Sequence, residues 1–127
     1  MEKSKVLSAL EECGVIAVIR AENDEKAQKI IDACVQGGIR GIEVTYTVPG
    51  ATQIISNLAK KYANTQVIIG AGTVLDGETA RQAILAGANF VVSPYLNTDM
   101  VNTCNRYQVA VMAGAMTVKE AAECMEA

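Results

Sequence analysis

Five short runs rich in β-branched residues recur along this chain, each separated from the next by a stretch of helical periodicity. They are VIAVI (15–19), IRGIEVT (39–45), QVIIG (66–70), FVVS (90–93) and VAVM (109–112). Each is too short and too β-rich for a helix, and turn residues or charges bound it. Between them, Ala27, Ile30, Ile31, Cys34 and Val35 repeat at i, i+3, i+4, i+7, i+8, as do Ala51, Ile54, Ile55, Leu58 and Ala59. Weaker stripes run through Ala80, Ala83, Ile84 and Gly87 and through Met100, Val101 and Cys104. Each period gives a helix with one apolar face. Asn23, Asp76 and Thr117 are the expected N-caps, and Glu120 completes a capping box with Thr117. Gly37-Gly38 and Gly87 close two of the helices. A further helix over about residues 2–12 precedes the first strand. Nearly all-apolar strands alternating with helices predict a parallel sheet covered by helices, an α/β fold.

Two architectures satisfy that alternation. One is an open, doubly wound sheet of five strands. The other is a (β/α)8 TIM-type barrel, of which this chain supplies an N-terminal helix and five βα units. Strand starts at 15, 39, 66, 90 and 109 give steps of 24, 27, 24 and 19 residues. Eight such units need roughly 200 residues, a compact barrel. Periodicity alone does not choose between the two. In either case residues 1–127 form a single domain, long enough to bury a core.

Composition removes several function classes. The chain has no histidine, which excludes Ser-His triads, histidine proton relays and the common His-containing zinc sites. With 11 basic and 14 acidic residues the net charge is −3, and there is no basic run. Nucleic acid and anionic membrane surfaces are therefore not the expected partners. No apolar stretch approaches the roughly 18–20 residues of a membrane span. The opening MEKSKVLSALEECGV is acidic and amphipathic rather than a secretion signal. Cysteines at 13, 34, 104 and 124 form no C-x-x-C pair and match no metal template. Cys34 and Cys104 fall on apolar stripes, so reduced, structural thiols in a cytoplasmic protein are expected.

In both architectures chemistry gathers where strands end and βα loops begin. Those positions are Arg20, Glu43 with Thr45 and Thr47, Gly70-Ala71-Gly72-Thr73, Ser93-Pro94 and Ala113-Gly114. Glu43 stands between Ile42 and Val44, so alternation points it to the face opposite those two. In an open sheet that face lies under helices, where an unpaired carboxylate is costly. At a barrel mouth it reaches water and ligand, and partial desolvation raises its pKa toward proton-transfer work. The alternative is a structural pair with Arg20 or Arg40. Arg20 itself either grips a carboxylate with two parallel hydrogen bonds or simply marks the strand's exit into solvent. The GAGT segment has the makings of an anion cradle, although Gly-rich βα turns are common. All seven lysines (3, 5, 26, 29, 60, 61 and 119) belong to helical or terminal segments, so no strand carries a desolvated amine.

Taken in order, VIAVIR, GGIRGIEVTYTVPGA, IIGAGTV, AGANFVVSP and AGAMTVKEA resemble the 2-keto-3-deoxy-6-phosphogluconate (KDPG) and 4-hydroxy-2-oxoglutarate (KHG) aldolase family, in register from about residue 15 onward. The resemblance implies a (β/α)8 barrel, usually a homotrimer, performing class I aldol chemistry on a small keto acid with neither metal nor cofactor. It implies that Glu43 is catalytic, shuttling protons, that Thr73 binds the pyruvate carboxylate and that Arg20 lies at the site. The position two residues beyond the threonine of IEVT is often a substrate-binding arginine in that family, and here it is Thr47. Ala113-Gly114 replaces the family's P-G, and Thr117-Val118 its T-P. The family's Schiff-base lysine, on the sixth strand in a K-[LF]-F-P segment, and its phosphate site are expected beyond Ala127. Two other readings are a catalytically silent half-barrel that must associate and a flavodoxin-like binding domain. A phospho-receiver of the second kind needs an aspartate ending the third strand and a lysine ending the fifth, where this chain has Gly70-Ala71-Gly72 and Ala113-Gly114.

Overall fold

A computed structural model describes residues 2–127. The elements run α1 (Lys3–Cys13), β1 (Ile16–Ile19), α2 (Asp24–Gln36), β2 (Gly41–Thr45), α3 (Ala51–Lys61), β3 (Ile68–Gly72), α4 (Gly77–Ala86), β4 (Phe90–Ser93), α5 (Thr98–Arg106), β5 (Ala110–Ala113) and α6 (Val118–Glu126). All neighbouring strands are parallel, and the sheet order is β1-β2-β3-β4-β5. That order decides between the two architectures. A doubly wound sheet reverses direction at a switch point and places its crossover helices on both faces. Here each strand follows its predecessor without reversal, as in a barrel. The flavodoxin-like reading is thereby overturned.

Side-chain alternation explains the layering. Ile19, Ile42, Val44, Ile69, Ala71 and Val91 share one core with residues of all four intervening helices, including Ile31, Ile55, Ala83 and Cys104. The opposite, inner face carries Glu43, Gly70, Phe90 and Ala110 in one register row. At and below that row a second cluster of Val6, Leu10, Ile68, Phe90 and Ala110 seats α1 against the inner face. The N-terminal helix thus closes the lower end of the sheet and leaves the upper end, where the loops leave the strands, uncovered. β1 and β5 are the sheet edges. Near them Val18 remains 48% exposed, and α6 buries none of its residues.

The expected caps are present. Lys26 N–H donates to Asn23 Oδ1 (2.9 Å), and Thr117 and Glu120 form the capping box. Asn97, which the apolar pattern does not single out, caps α5 through Met100 N–H (2.8 Å). Thr79 N–H donates to Asp76 Oδ1 at 2.6 Å, and that backbone bond holds the Asp76 carboxyl below its ordinary pKa. The folded pKa is lower than the unfolded one, so this bond contributes stability above the ordinary carboxylate range and loses it as pH falls through the folded value. Asp76→Ala is expected to cost about 1 kcal/mol near neutrality. The gap from the parent should narrow in acid, as urea unfolding at several pH values will show.

The third strand differs from expectation, spanning Ile68–Gly72 rather than 66–70. Gln66 is exposed and accepts from Arg40 Nη1 (3.3 Å) instead of entering the ladder. Gly70, Ala71 and Gly72 are therefore ladder residues, paired with Glu43, Val44 and Thr45, and not an open anion-binding turn.

Candidate functional site

Glu43 lies mid-strand on β2, 7% exposed, with Val18 and Gly70 as its register neighbours. Burial pushes its pKa up, and the Arg20 charge opposes that shift. Among the described residues Glu43 belongs to no ion pair. Arg40 reaches Glu12 (4.0 Å) and Gln66 (3.3 Å) instead. No fully buried polar side-chain atom lacks a partner among the described residues. Among the described residues the Glu43 side chain takes no hydrogen bond, so its carboxyl group keeps some contact with solvent. It is a partly desolvated carboxyl, and desolvation favours its protonated form, as suits a group that exchanges a proton with a ligand.

The adjacent strand is shaped around it. A Cβ at Gly72 would overlap the Glu43 carboxyl group, and a Cβ at Gly70 would overlap the Phe90 ring. Thr73, the next residue, is half-buried with φ of 56°, in the left-handed region. A β-branched residue rarely occupies that region, and such strain concentrates at functional sites. The turn out of β3 thus holds Thr73 at the mouth in a conformation that the chain does not adopt freely.

Arg20 and Thr47 line one open cleft of about 350 Å³ together with Ala21, Glu22, Lys26 and Val48, a lining that includes neither Glu43 nor Thr73. Thr45 Oγ1 donates to Ile19 O (3.4 Å) and shares a hydrogen bond with Thr47 Oγ1 (2.7 Å), tying the β2 exit to β1. The four residues singled out by the sequence therefore fall on three adjacent strands and the loops that leave them, Glu43 in the middle of its strand and the other three beyond the strand ends. Arg20 follows β1, Glu43 and Thr47 belong to β2 and its loop, and Thr73 follows β3. Lys26 is an addition. The helical pattern makes it a solvated lysine, yet the Asn23 cap fixes it in the first turn of α2, where it lines the cleft and pairs with Glu22 (3.3 Å). An N-cap three residues before a cation is the signal that could have placed it there.

The remaining candidates serve the frame. Tyr95 donates its hydroxyl to Leu75 O (3.0 Å) and ties two loops together. Gly114 N–H donates to Ser93 O (2.9 Å), and a Cβ at Gly114 would strike Pro94 O. Lys119 is exposed and faces Glu123 (3.7 Å). Cys104 is fully buried, and burial pushes its thiol up to about 11, which makes it an unreactive core residue.

Comparison with known proteins completes the assignment. The sequence profile of the KDPG and KHG aldolases matches residues 6–127. The chain belongs to the KDPG/KHG aldolase family. Within that family it is 38% identical over 121 residues to the 2-dehydro-3-deoxy-phosphogluconate aldolase of Treponema pallidum, covering 95% of this chain and 57% of the relative. With the KHG/KDPG aldolase of Escherichia coli K12 it shares 32% identity over 118 residues, covering 93% and 54%. Among solved structures, the KDPG aldolase of Zymomonas mobilis ZM4 with 3-phosphoglycerate superposes with a TM-score of 0.86 at 27% identity, covering 98% of this chain and 58% of that one. The KDPG aldolase of Legionella pneumophila, holding pyruvate as a covalent carbinolamine, superposes at 0.77 with 27% identity, covering 87% and 52%. The chain spans little more than half the length of these relatives. Its five strands are a barrel's first five in order, the fold expected from the resemblance. No helix among the described residues is long and apolar enough to cross a membrane.

Proposed function

We propose that the protein carrying this chain is a class I aldolase. It cleaves a 2-keto-3-deoxy-6-phosphosugar acid or 4-hydroxy-2-oxoglutarate to pyruvate and an aldehyde. A lysine amine adds to the C2 carbonyl, and the carbinolamine loses water to give a protonated imine. Removal of the C4 hydroxyl proton then lets the C3–C4 bond break, its electron pair moving into the imine to leave an enamine. Protonation at C3 and hydrolysis release pyruvate. In this scheme Glu43 carries the protons, and Thr73 and Arg20 hold the pyruvate carboxylate, with Thr47 beside them. The amine comes from outside residues 1–127, because the lysines present lie on helices or at the N-terminus. A homotrimer working in the cytoplasm on small keto acids, with no metal, cofactor, nucleic acid or membrane, completes the reading.

The observation that carries it is a single partly desolvated carboxyl on the inner face of a parallel sheet, leaning toward the loop end over Gly72, with the strands in barrel order. Support from relatives comes from the Legionella enzyme, in which pyruvate stands as a covalent carbinolamine. The test is borohydride reduction in the presence of pyruvate, with the adduct mapped by mass spectrometry. The whole protein is expected to gain one reduced pyruvate, on a lysine beyond residue 127, while the 127-residue chain alone stays unmodified. An adduct on any of the seven lysines present here would overturn the assignment of the amine. No adduct anywhere would favour the catalytically silent half-barrel.

A further inference from the structure

We propose that Gly72 is a positioning residue: the missing side chain at this place in β3 is what lets Glu43 extend along the sheet toward the loop end. The register carries the argument. Glu43 pairs with Gly70, but its carboxyl group occupies the space a side chain at Gly72 would fill, two residues further along β3. Two residues of strand are about 6–7 Å. The glutamate therefore leans upward from its own row, over Gly72.

The lower position is closed to it. The space over Gly70, directly opposite Glu43, is taken by the Phe90 ring, which is fully buried. Two glycines two residues apart thus have different tenants, an aromatic ring below and a carboxyl group above. A Cβ at Gly72 would meet Cγ and Cδ of Glu43 as well as Oε1, so moving the carboxyl tip alone would not relieve the clash. With Phe90 beneath, the side chain has to swing away from β3, out of its half-enclosed place. Neither glycine is needed for backbone freedom, since the residues with positive φ are others. Space is the reason for Gly72.

The placement of Glu43 stands by itself, and its consequence for turnover rests on the aldolase reading above. The test is the titration of Glu43 in the full-length protein, followed by NMR of 13C-labelled carboxyl groups, with Glu43→Ala identifying the signal. In Gly72→Ala the Glu43 midpoint is expected to fall toward the ordinary carboxylate value, because the group is turned toward water. A folded Gly72→Ala protein in which Glu43 titrates as in the parent overturns the inference. Should Gly72→Ala fail to fold, Gly72→Ala/Glu43→Ala decides. Removing the carboxyl group removes the collision and is expected to restore a cooperative thermal transition, and continued failure to fold overturns the inference. Neither readout uses turnover, so a wrong aldolase assignment leaves this result intact. If that assignment holds, Gly72→Ala also lowers kcat by about 10²-fold, the usual penalty of an ångström-scale misplacement, with a much smaller change in KM.

Discussion

Glu43→Gln is expected to reduce aldol turnover by about 10²- to 10⁴-fold, the range that positioned general acid–base groups supply. Retention of pyruvate should change far less. The amide is nearly isosteric and keeps the van der Waals surface that fits over Gly72, but it can neither take nor give a proton at the imine-forming and bond-breaking steps. The measurement is pyruvate release by the whole protein, alongside borohydride trapping. Slow turnover with trapping still possible at long incubation is the expected combination, and unchanged turnover would remove Glu43 from the proton-transfer role. The same substitution has a signature in stability. Burial raises the Glu43 pKa in the folded state, against the partial opposition of Arg20. The folded protein therefore binds this proton more tightly than the unfolded chain does. The corresponding stability is fully present below the ordinary carboxylate pKa and is lost as pH rises through the raised folded value. Glu43→Gln should flatten that portion of the stability–pH curve.

Much of this arrangement is legible in the sequence, because period-2 and period-3.6 patterns are set by the backbone itself. Ile42 and Val44 flank Glu43, and alternation correctly sends the carboxyl to the face opposite the helix-facing core. The Asn23, Asp76 and Thr117 caps are local hydrogen-bond chemistry and appear where composition places them. The GAGT segment is different. Taken alone, two glycines around an alanine suggest a turn, since local propensity disfavours glycine within a strand. Their reason lies in side chains from β2 and β4, 27 residues or more and 18 residues or more away in sequence, and it becomes visible only when the register Gly70↔Phe90 and Glu43↔Gly70 is known. The strained φ of Thr73 is likewise invisible from residue type, because threonine gives no advance sign of a left-handed conformation. Barrel against doubly wound sheet is also a non-local property. Both share the same βα alternation, and only strand order separates them.

Phe90→Ala is expected to be the most destabilising single truncation in the chain, at about 3–5 kcal/mol. The ring is the largest fully buried side chain, and it links three parts of the structure. It fills the space above Gly70 on β3, it stands in the row of Glu43 and Ala110, and it packs with Val6 and Leu10 of α1. Truncation leaves one large cavity, because Gly70 offers no side chain to collapse into the hole. Urea unfolding monitored by circular dichroism should show the lost free energy, and amide exchange should show α1 released ahead of the helices on the other face. A loss below about 1 kcal/mol would mean that the inner face closes around the gap, contrary to a rigid sheet with α1 as its base. A second substitution separates cavity from strain. Gly70→Ala alone drives a methyl into the ring, but in the Phe90→Ala background that methyl enters vacant space. The pair should therefore be strongly non-additive, with Phe90→Ala/Gly70→Ala more stable than the sum of the single losses predicts. Additive losses would show that the ring and the glycine do not share the volume that also sets the floor beneath Glu43.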